Sequence, residues 1–295
     1  MNRGGLHRLM RRRSTIAFLM TLPLLTVIAV LVAYPAGFAI YLSMLDRKMT
    51  KFVGLANFAR LAGSDRFWMV VAQTCLYALI AVALSAALGF AAAHFVHNIP
   101  TKGQRKWRGM LLVPWVIPAA LSMLAWRLLF EPSFGAFNWG LEHFGLGRVF
   151  WLGDAGWARF CVILVTVWFS APFCMVMYLA SLKSVPEELY EAARVDGATW
   201  WQRIRYVTFP TMRNVIAITM IYALIGTFAG FTTVAMLTSG GPLGATQVLG
   251  TSAFYTGILG GNLPLGASIF LFMVPVLALA AIFILRGIAK RGNET

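Results

Sequence analysis

Six apolar stretches dominate the chain, near Ser14–Met44, Phe67–Val96, Trp107–Phe130, Ala158–Leu182, Asn214–Thr238 and Leu265–Gly287. Each is long enough to cross a hydrocarbon layer, which needs about 20 apolar residues per helix. Inside such a layer no water satisfies backbone N–H and C=O groups, so segments of this kind are confined to helix. The expected fold is all-α and integral to a membrane, with six transmembrane helices. Composition agrees: 59% of the 295 residues are hydrophobic and only 12% charged, against roughly 25% charged in an ordinary soluble domain. The first stretch follows the basic segment MNRGGLHRLMRRR, an arrangement shared with secretory signals. Its apolar run far exceeds the core of about 7–15 residues that signals carry, and no clear cleavage site follows, so it reads as an uncleaved first span.

The formal net charge of +15 would suit nucleic acid, so the placement of the charges decides. They fall mainly between the apolar stretches, as membrane topology requires, and no nucleic-acid partner is expected. Placing the amino terminus in the cytoplasm puts Arg3, Arg8, Arg11 to Arg13, Lys102, Arg105, Lys106, Arg108, Lys183, Arg194, Arg203, Arg205, Arg213, Arg286, Lys290 and Arg291 on that side. That majority of the 25 basic residues satisfies the positive-inside rule with both termini cytoplasmic. The organisation expected is a basic amino-terminal segment at 1–13, a six-span domain at 14–290 with a polar loop at 184–212, and a short tail at 291–295.

Several chemistries find no support. Cys75, Cys161 and Cys174 are odd in number and lie within spans, which suits buried thiols rather than a disulfide or a metal site. His94 and His97 stand three apart at the end of the second span without a third ligand nearby, so an interfacial role outweighs a metal. No catalytic residue is assigned: the spans hold serines but no paired His and Asp. None of the ten acidic residues falls within a span, whereas an ion-coupled carrier commonly keeps an ionisable group at membrane depth. No G-x-x-x-x-G-K-[ST] phosphate loop is present, so a transporter of this sequence would draw its energy from a partner.

The polar island SVPEELYEAARVDGATWWQRIRYVTFP at 184–210 is the most specific feature. Ser184 with Glu187 fits a capping box, with Pro186 in the first turn of a short helix, and Gly197 should end that helix in a left-handed conformation. Thr199 with Gln202 suggests a second cap, and Pro210 marks a turn back toward the membrane. Pattern alone leaves two readings open, an amphipathic hairpin on the lipid surface or a docking element for a partner.

The run Glu191, Ala192, Ala193, three residues, Gly197, nine residues, then Val207, Thr208, Phe209 and Pro210 resembles the EAA loop of permease subunits in binding-protein-dependent ABC importers. Val207 and Phe209 stand where that pattern usually has Ile and Leu, both apolar for apolar. LTSGGP at 237–242, YP at 34–35 and FVGLANF at 52–58 are similar to the carbohydrate-uptake permeases that carry disaccharides such as maltose and trehalose, glycerol phosphate and related compounds. The resemblance covers nearly the whole chain. It implies the type I importer permease fold in a bacterial cytoplasmic membrane, and a helix at Glu191, Ala192, Ala193, Asp196 and Gly197 that couples to an ATPase. It further implies a second permease subunit, a pair of ATP-binding subunits that hold the ATP and Mg, and a periplasmic or lipid-anchored solute-binding protein, with no cofactor in this chain itself.

The fourth and fifth expected spans are rich in aromatic and hydroxyl side chains. Aromatic faces stack on the CH faces of a sugar while hydroxyls bond its OH groups, although such residues also serve plain helix packing. By similarity to sugar permeases the substrate path is expected at Thr166, Phe169, Ser170, Phe173, Thr227 and Gly230, with Pro172 opening the helix between them. None of these carries charge, which favours a neutral carbohydrate. Arg127, expected to pair with Glu131, leaves an anionic sugar open. An ATP-independent or ion-coupled carrier for a small polar solute is the alternative.

Overall fold

In the computed structural model of the chain, residues 13–228 and 230–292 are described, with side chains over 16–228 and 230–286. Residues 1–12 and 293–295, which hold most of the two expected terminal segments, lie outside them. The helices are α1 (Ile16–Ser43), α2 (Ala56–Ala62), α3 (Asp65–Asn98), α4 (Thr101–Val116), α5 (Ala119–Leu129) and α6 (Ala136–His143). They continue with α7 (Ala155–Leu182), α8 (Glu187–Val195), α9 (Trp200–Phe228), α10 (Phe231–Leu237), α11 (Leu249–Phe254) and α12 (Leu263–Gly292). Among the described residues the only β pairing is an isolated bridge between Leu45 and Phe52.

Five helices, α1, α3, α7, α9 and most of α12, are long and apolar enough to span a membrane. The third expected span, Trp107–Phe130, is not one helix: α4 and α5 meet at 90°. Pro118 is the cause. Its ring pushes Ile117 into extended backbone (φ −70°, ψ 136°) and it has no N–H to continue the ladder. The fifth expected span also ends early, at Phe228, and its remainder forms the separate α10 beyond Gly230.

Two other prolines leave their helices intact for a shared reason. The N–H of Tyr34 bonds the carbonyl of Ala29, and that of Phe209 the carbonyl of Ile204, each five residues back. These single π turns fall just before Pro35 and Pro210, so the register has already shifted where the proline withholds its donor. The turn toward the membrane expected at Pro210 therefore does not occur, and α9 runs on from the 184–212 loop into the bilayer-length segment.

The axis of the fold is α3 packed on α7. In lipid, apolar surface alone does not drive helices together, so close packing must. Gly89 permits it: a Cβ there would lie 2.4 Å from Cβ of Cys174. Around this axis one cluster joins Phe67, Val70 and Ala78 to Leu249, Ala253, Ile269 and Met273. A second joins Tyr77 to Met123, Cys161, Val165 and Val234, and a third joins Ala93 and Val96 to Met175, Tyr178 and Met212. Two buried hydroxyls are satisfied within their own helices, Thr74 donating to Val70 O at 2.7 Å and Thr219 to Val215 O at 2.7 Å. All three cysteines are free. None of the apolar window of α1 is buried by the other described residues.

Candidate functional site

Helices α3, α4, α5, α7, α9 and α10 enclose a cavity of about 320 Å³, and the six residues expected on the substrate path all line it. Thr166, Phe169, Ser170 and Phe173 follow the i, i+3, i+4, i+7 spacing that places them on one face of α7. Thr227 lies one residue before the end of α9, and Gly230 forms the break before α10. That break needs glycine: a Cβ at 230 would meet the carbonyl oxygen of Thr227 at 2.6 Å, the same carbonyl that accepts from Gly230 N at 3.0 Å. Phe173 and Tyr222 form an aromatic wall with ring centres 4.6 Å apart, extended by Trp115 at 5.9 Å from Phe173.

The hydroxyls point their chemistry in one direction. Thr166 donates to Val162 O at 2.7 Å and Thr227 to Ala223 O at 2.8 Å. With their protons committed to the backbone, both present lone pairs to the cavity. Ser170, by contrast, makes no side-chain hydrogen bond among the described residues and is half-buried. Among the described residues no charged side chain lines the cavity.

Two expectations fail here. Pro172 is buried within an unbroken α7 and does not open it; one missing donor is tolerated because the flanking turns keep their bonds. Arg127 and Glu131 form no ion pair, since α5 ends at Leu129 and the two are no longer one helical turn apart. The lining residues Tyr77, Trp115, Ala119 and Met123 escape the sequence reading. Only the Pro114 and Pro118 pair around Trp115 hints that the chain bends there.

The segment between α10 and α11, termed the roof, reaches the cavity through Val248. Tyr77 Oη donates to Ala245 O at 2.7 Å, and Arg159 Nε donates to the same oxygen at 3.1 Å. Thr74 Oγ1 accepts from Leu249 N at 3.0 Å. With its amide oriented by the surrounding acceptors, Gln73 donates to Gly244 O at 3.2 Å and Gln247 O at 2.9 Å. Within the segment, the hydroxyls of Thr238 and Thr246 meet at 2.8 Å and Thr246 donates to Gly241 O at 2.7 Å.

A second candidate site is the polar loop. Helix α8 ends as expected: Gly197 has φ +74°, Ala198 N bonds Ala193 O at 2.9 Å and Gly197 N bonds Arg194 O at 3.1 Å, a Schellman closure. The Thr199–Gln202 capping box is also present, with Gln202 Oε1 accepting from Thr199 N at 2.7 Å. The Ser184–Glu187 box is not. Pro186 occupies the N-cap, Ser184 Oγ turns back to Ser181 O at 2.8 Å, and Glu187 pairs with Arg194. Tyr190 anchors the inner face of α8, its hydroxyl 2.9 Å from Thr208 Oγ1. The other face stands free: Glu191, Ala192, Asp196 and Gly197 are exposed, Ala193 is half-buried, and Val195 is 88% exposed. A short helix fixed on one side and bare on the other is built to receive a partner.

Away from the spans, Asp46 closes a tight hairpin, accepting from Thr50 N at 2.7 Å and Lys51 N at 2.8 Å. The Lys51 N–H is the main cause that holds its carboxyl below the ordinary value. Arg148 is raised by its bond to Glu142. Among the described residues no group of three or more His, Cys, Asp or Glu side chains is placed to hold a metal. His94 instead accepts a hydrogen bond from Trp200 Nε1 at 3.2 Å.

Membrane-crossing helices around an uncharged cavity, with a rigid polar helix held off the ends of two of them, define a membrane permease. Residues 85–292 match the profile of the binding-protein-dependent transport system inner membrane components, and the chain belongs to that family. It is 33% identical over 290 residues to the trehalose/maltose transport system permease protein MalF of Thermococcus litoralis, spanning 96% of this chain and 97% of that one. The fold matches a bacterial ABC transporter involved in import of the acidic polysaccharide alginate, with a TM-score of 0.82 at 24% identity over 94% of this chain and 96% of the other. A bacterial alginate ABC transporter in complex with an alginate pentasaccharide-bound periplasmic protein gives 0.81 at 24% identity, over 92% and 93% of the two chains. The type I importer permease fold implied by the sequence is thus the fold found.

Proposed function

We propose that this chain is one of two permease subunits of an ABC importer and forms half of the path for a neutral carbohydrate. The observation that carries the substrate class is the cavity: aromatic faces from Phe169, Phe173 and Tyr222 beside hydroxyl lone pairs of Thr166 and Thr227, with no charged side chain in the lining. Such a surface suits the alternating CH and OH faces of a sugar. It offers no counter-ion to the carboxylates of an acidic polysaccharide, which burial would leave costly and unpaired. Tyr222, at 61% exposure on the cavity rim, and Trp115, at 47%, favour completion of the path by a second permease.

Energy enters through α8. Glu191 and Asp196 offer charge to a basic cleft of an ATP-binding subunit, and Ala192, Ala193 and Gly197 allow close approach. ATP and Mg belong to that partner, while this chain carries no nucleotide chemistry of its own. Nucleotide-driven closure shifts access to the cavity only through the difference in contact energy between two states, and moving a 1:99 population to 99:1 takes about 5.5 kcal/mol. The excess of basic residues beside the α8 end of the spans supports a cytoplasmic location for that end and for both termini. The opposite, outward loops are the docking ground for a solute-binding protein, as the family description supports.

The test is reconstitution of the assembled complex in vesicles with its binding protein, offering maltose, trehalose and alginate oligosaccharides. ATP-dependent uptake of a neutral sugar is expected. Uptake that persists without nucleotide, or that is confined to the acidic oligosaccharide, would overturn the reading.

A further inference from the structure

We infer that α3 is a transmission rod, in which His94 senses the position of the α8–α9 junction and Gln73, Thr74 and Tyr77 pass its displacement to the roof of the cavity. The inference rests on the importer reading above and adds a route that neither α7 nor α9 supplies through the backbone.

At one end of α3 the contact with the loop is specific. His94 Nε2 accepts from Trp200 Nε1 at 3.2 Å, and the two rings meet edge to face at 5.5 Å. Trp200 is the first residue of α9, directly after the Thr199 cap, and so follows any motion of α8 through its Schellman closure. The imidazole stacks on Phe90 at 6.0 Å, Phe90 stacks on Phe209 of α9 at 4.9 Å, and Phe90 meets Tyr178 of α7 at 6.4 Å. This aromatic stack joins three spans to the foot of the loop.

At the other end the grip is on the roof. Gln73, Thr74 and Tyr77 are all buried and bond Gly244, Gln247, Leu249 and Ala245. Releasing any of them strands a buried polar group, so the roof and α3 move together at low cost and separately at high cost. The roof is itself cross-bonded through Thr238, Thr246 and Gly241; Tyr77 belongs both to the grip and to the cavity wall, and Val248, between the gripped Gln247 and Leu249, lines the cavity too. Between the two ends α3 is one helix without proline. At about 1.5 Å of rise per residue the 17 steps from Tyr77 to His94 cover about 25 Å. A rod of that length with a hydrogen-bonded contact at each end converts movement of the 184–212 loop into movement of the cavity roof.

The test uses the complex in vesicles with trehalose or maltose, whichever the unmodified complex carries, and measures sugar moved per ATP hydrolysed. Trp200→Phe and Tyr77→Phe each remove one hydrogen bond while keeping a ring in place, and His94→Leu removes the acceptor. Each should lower the ratio about twofold to thirtyfold while hydrolysis continues, the range seen when residues along a coupling route are altered. The double variant Trp200→Phe with Tyr77→Phe should be no worse than its worse parent, because one route can be cut only once. His94→Gln, which keeps an acceptor, should recover most of the ratio. An unchanged ratio in the single variants, independent multiplication of their effects, or equal behaviour of His94→Gln and His94→Leu would overturn the rod. Absence of ATP-dependent uptake in the unmodified complex would instead overturn the importer reading.

Discussion

Position 230 shows how a single side chain decides the shape of the cavity. Gly230 terminates one helix and opens the next only because nothing occupies the 2.6 Å gap to the Thr227 carbonyl. Gly230→Ala should therefore straighten or displace the break, with loss of sugar uptake and little change in the amount of complex assembled, checked by transport and by size-exclusion yield. Thr166 and Thr227 make a complementary point. Because their hydroxyl protons are already committed, Thr227→Val should weaken sugar binding rather than unfold α9, by about the 0.5–1.5 kcal/mol of one hydrogen bond. Asp46 carries a pH prediction. Its folded-state pKa is depressed, chiefly by the Lys51 N–H, so its contribution to the hairpin is present above the ordinary value of 3.8 and is lost as pH falls below it. Hydrogen exchange at Thr50 and Lys51, corrected for its intrinsic pH dependence, should accelerate in that acid range, and in Asp46→Ala it should be fast throughout.

Helix α8 owes its usefulness to its closures. Gly197→Ala must adopt φ near +74° with a Cβ, at a cost of about 1–2 kcal/mol. Gly197→Pro is more severe because φ is locked near −65°. Both Gly197→Pro and Glu191→Lys should insert normally in the membrane yet abolish ATP-driven uptake, which separates docking from folding; normal uptake by both would count against α8 as the coupling element. At this scale the sequence was legible where the signal is local. Thr199 with Gln202, and Gly197 after an apolar and acidic run, specify caps through bonds that reach three to five residues. Ser184 misled because Pro186 took the capping position and Ser181 O offered a nearer acceptor. The α4–α5 bend was missed because apolar content marks a segment as membrane-compatible without giving its direction. The α7 residues of the cavity were reached through the resemblance to sugar permeases, whereas Tyr77 and Trp115 join the cavity through contacts between distant segments that no periodicity records.

The molecule as a whole is built around an α3–α7 axis, with the cavity to one side and the polar α8 loop at one end. Gly89 sets how close that axis packs. Gly89→Leu would drive a side chain into Cys174 and Met175, and should reduce thermal stability by about 1–3 kcal/mol, read by differential scanning of the purified complex. The architecture also leaves a debt at its front. Nothing else among the described residues covers the apolar window of α1, where Leu31, Val32 and Tyr34 each stand more than 60% exposed. A lone copy is thereby recognisable as an orphan, since cells continually triage chains whose hydrophobic faces stay unpacked. Its abundance should rise and fall with the supply of whichever neighbour shelters that leading helix, tying the dosage of this gene product to that of its companion.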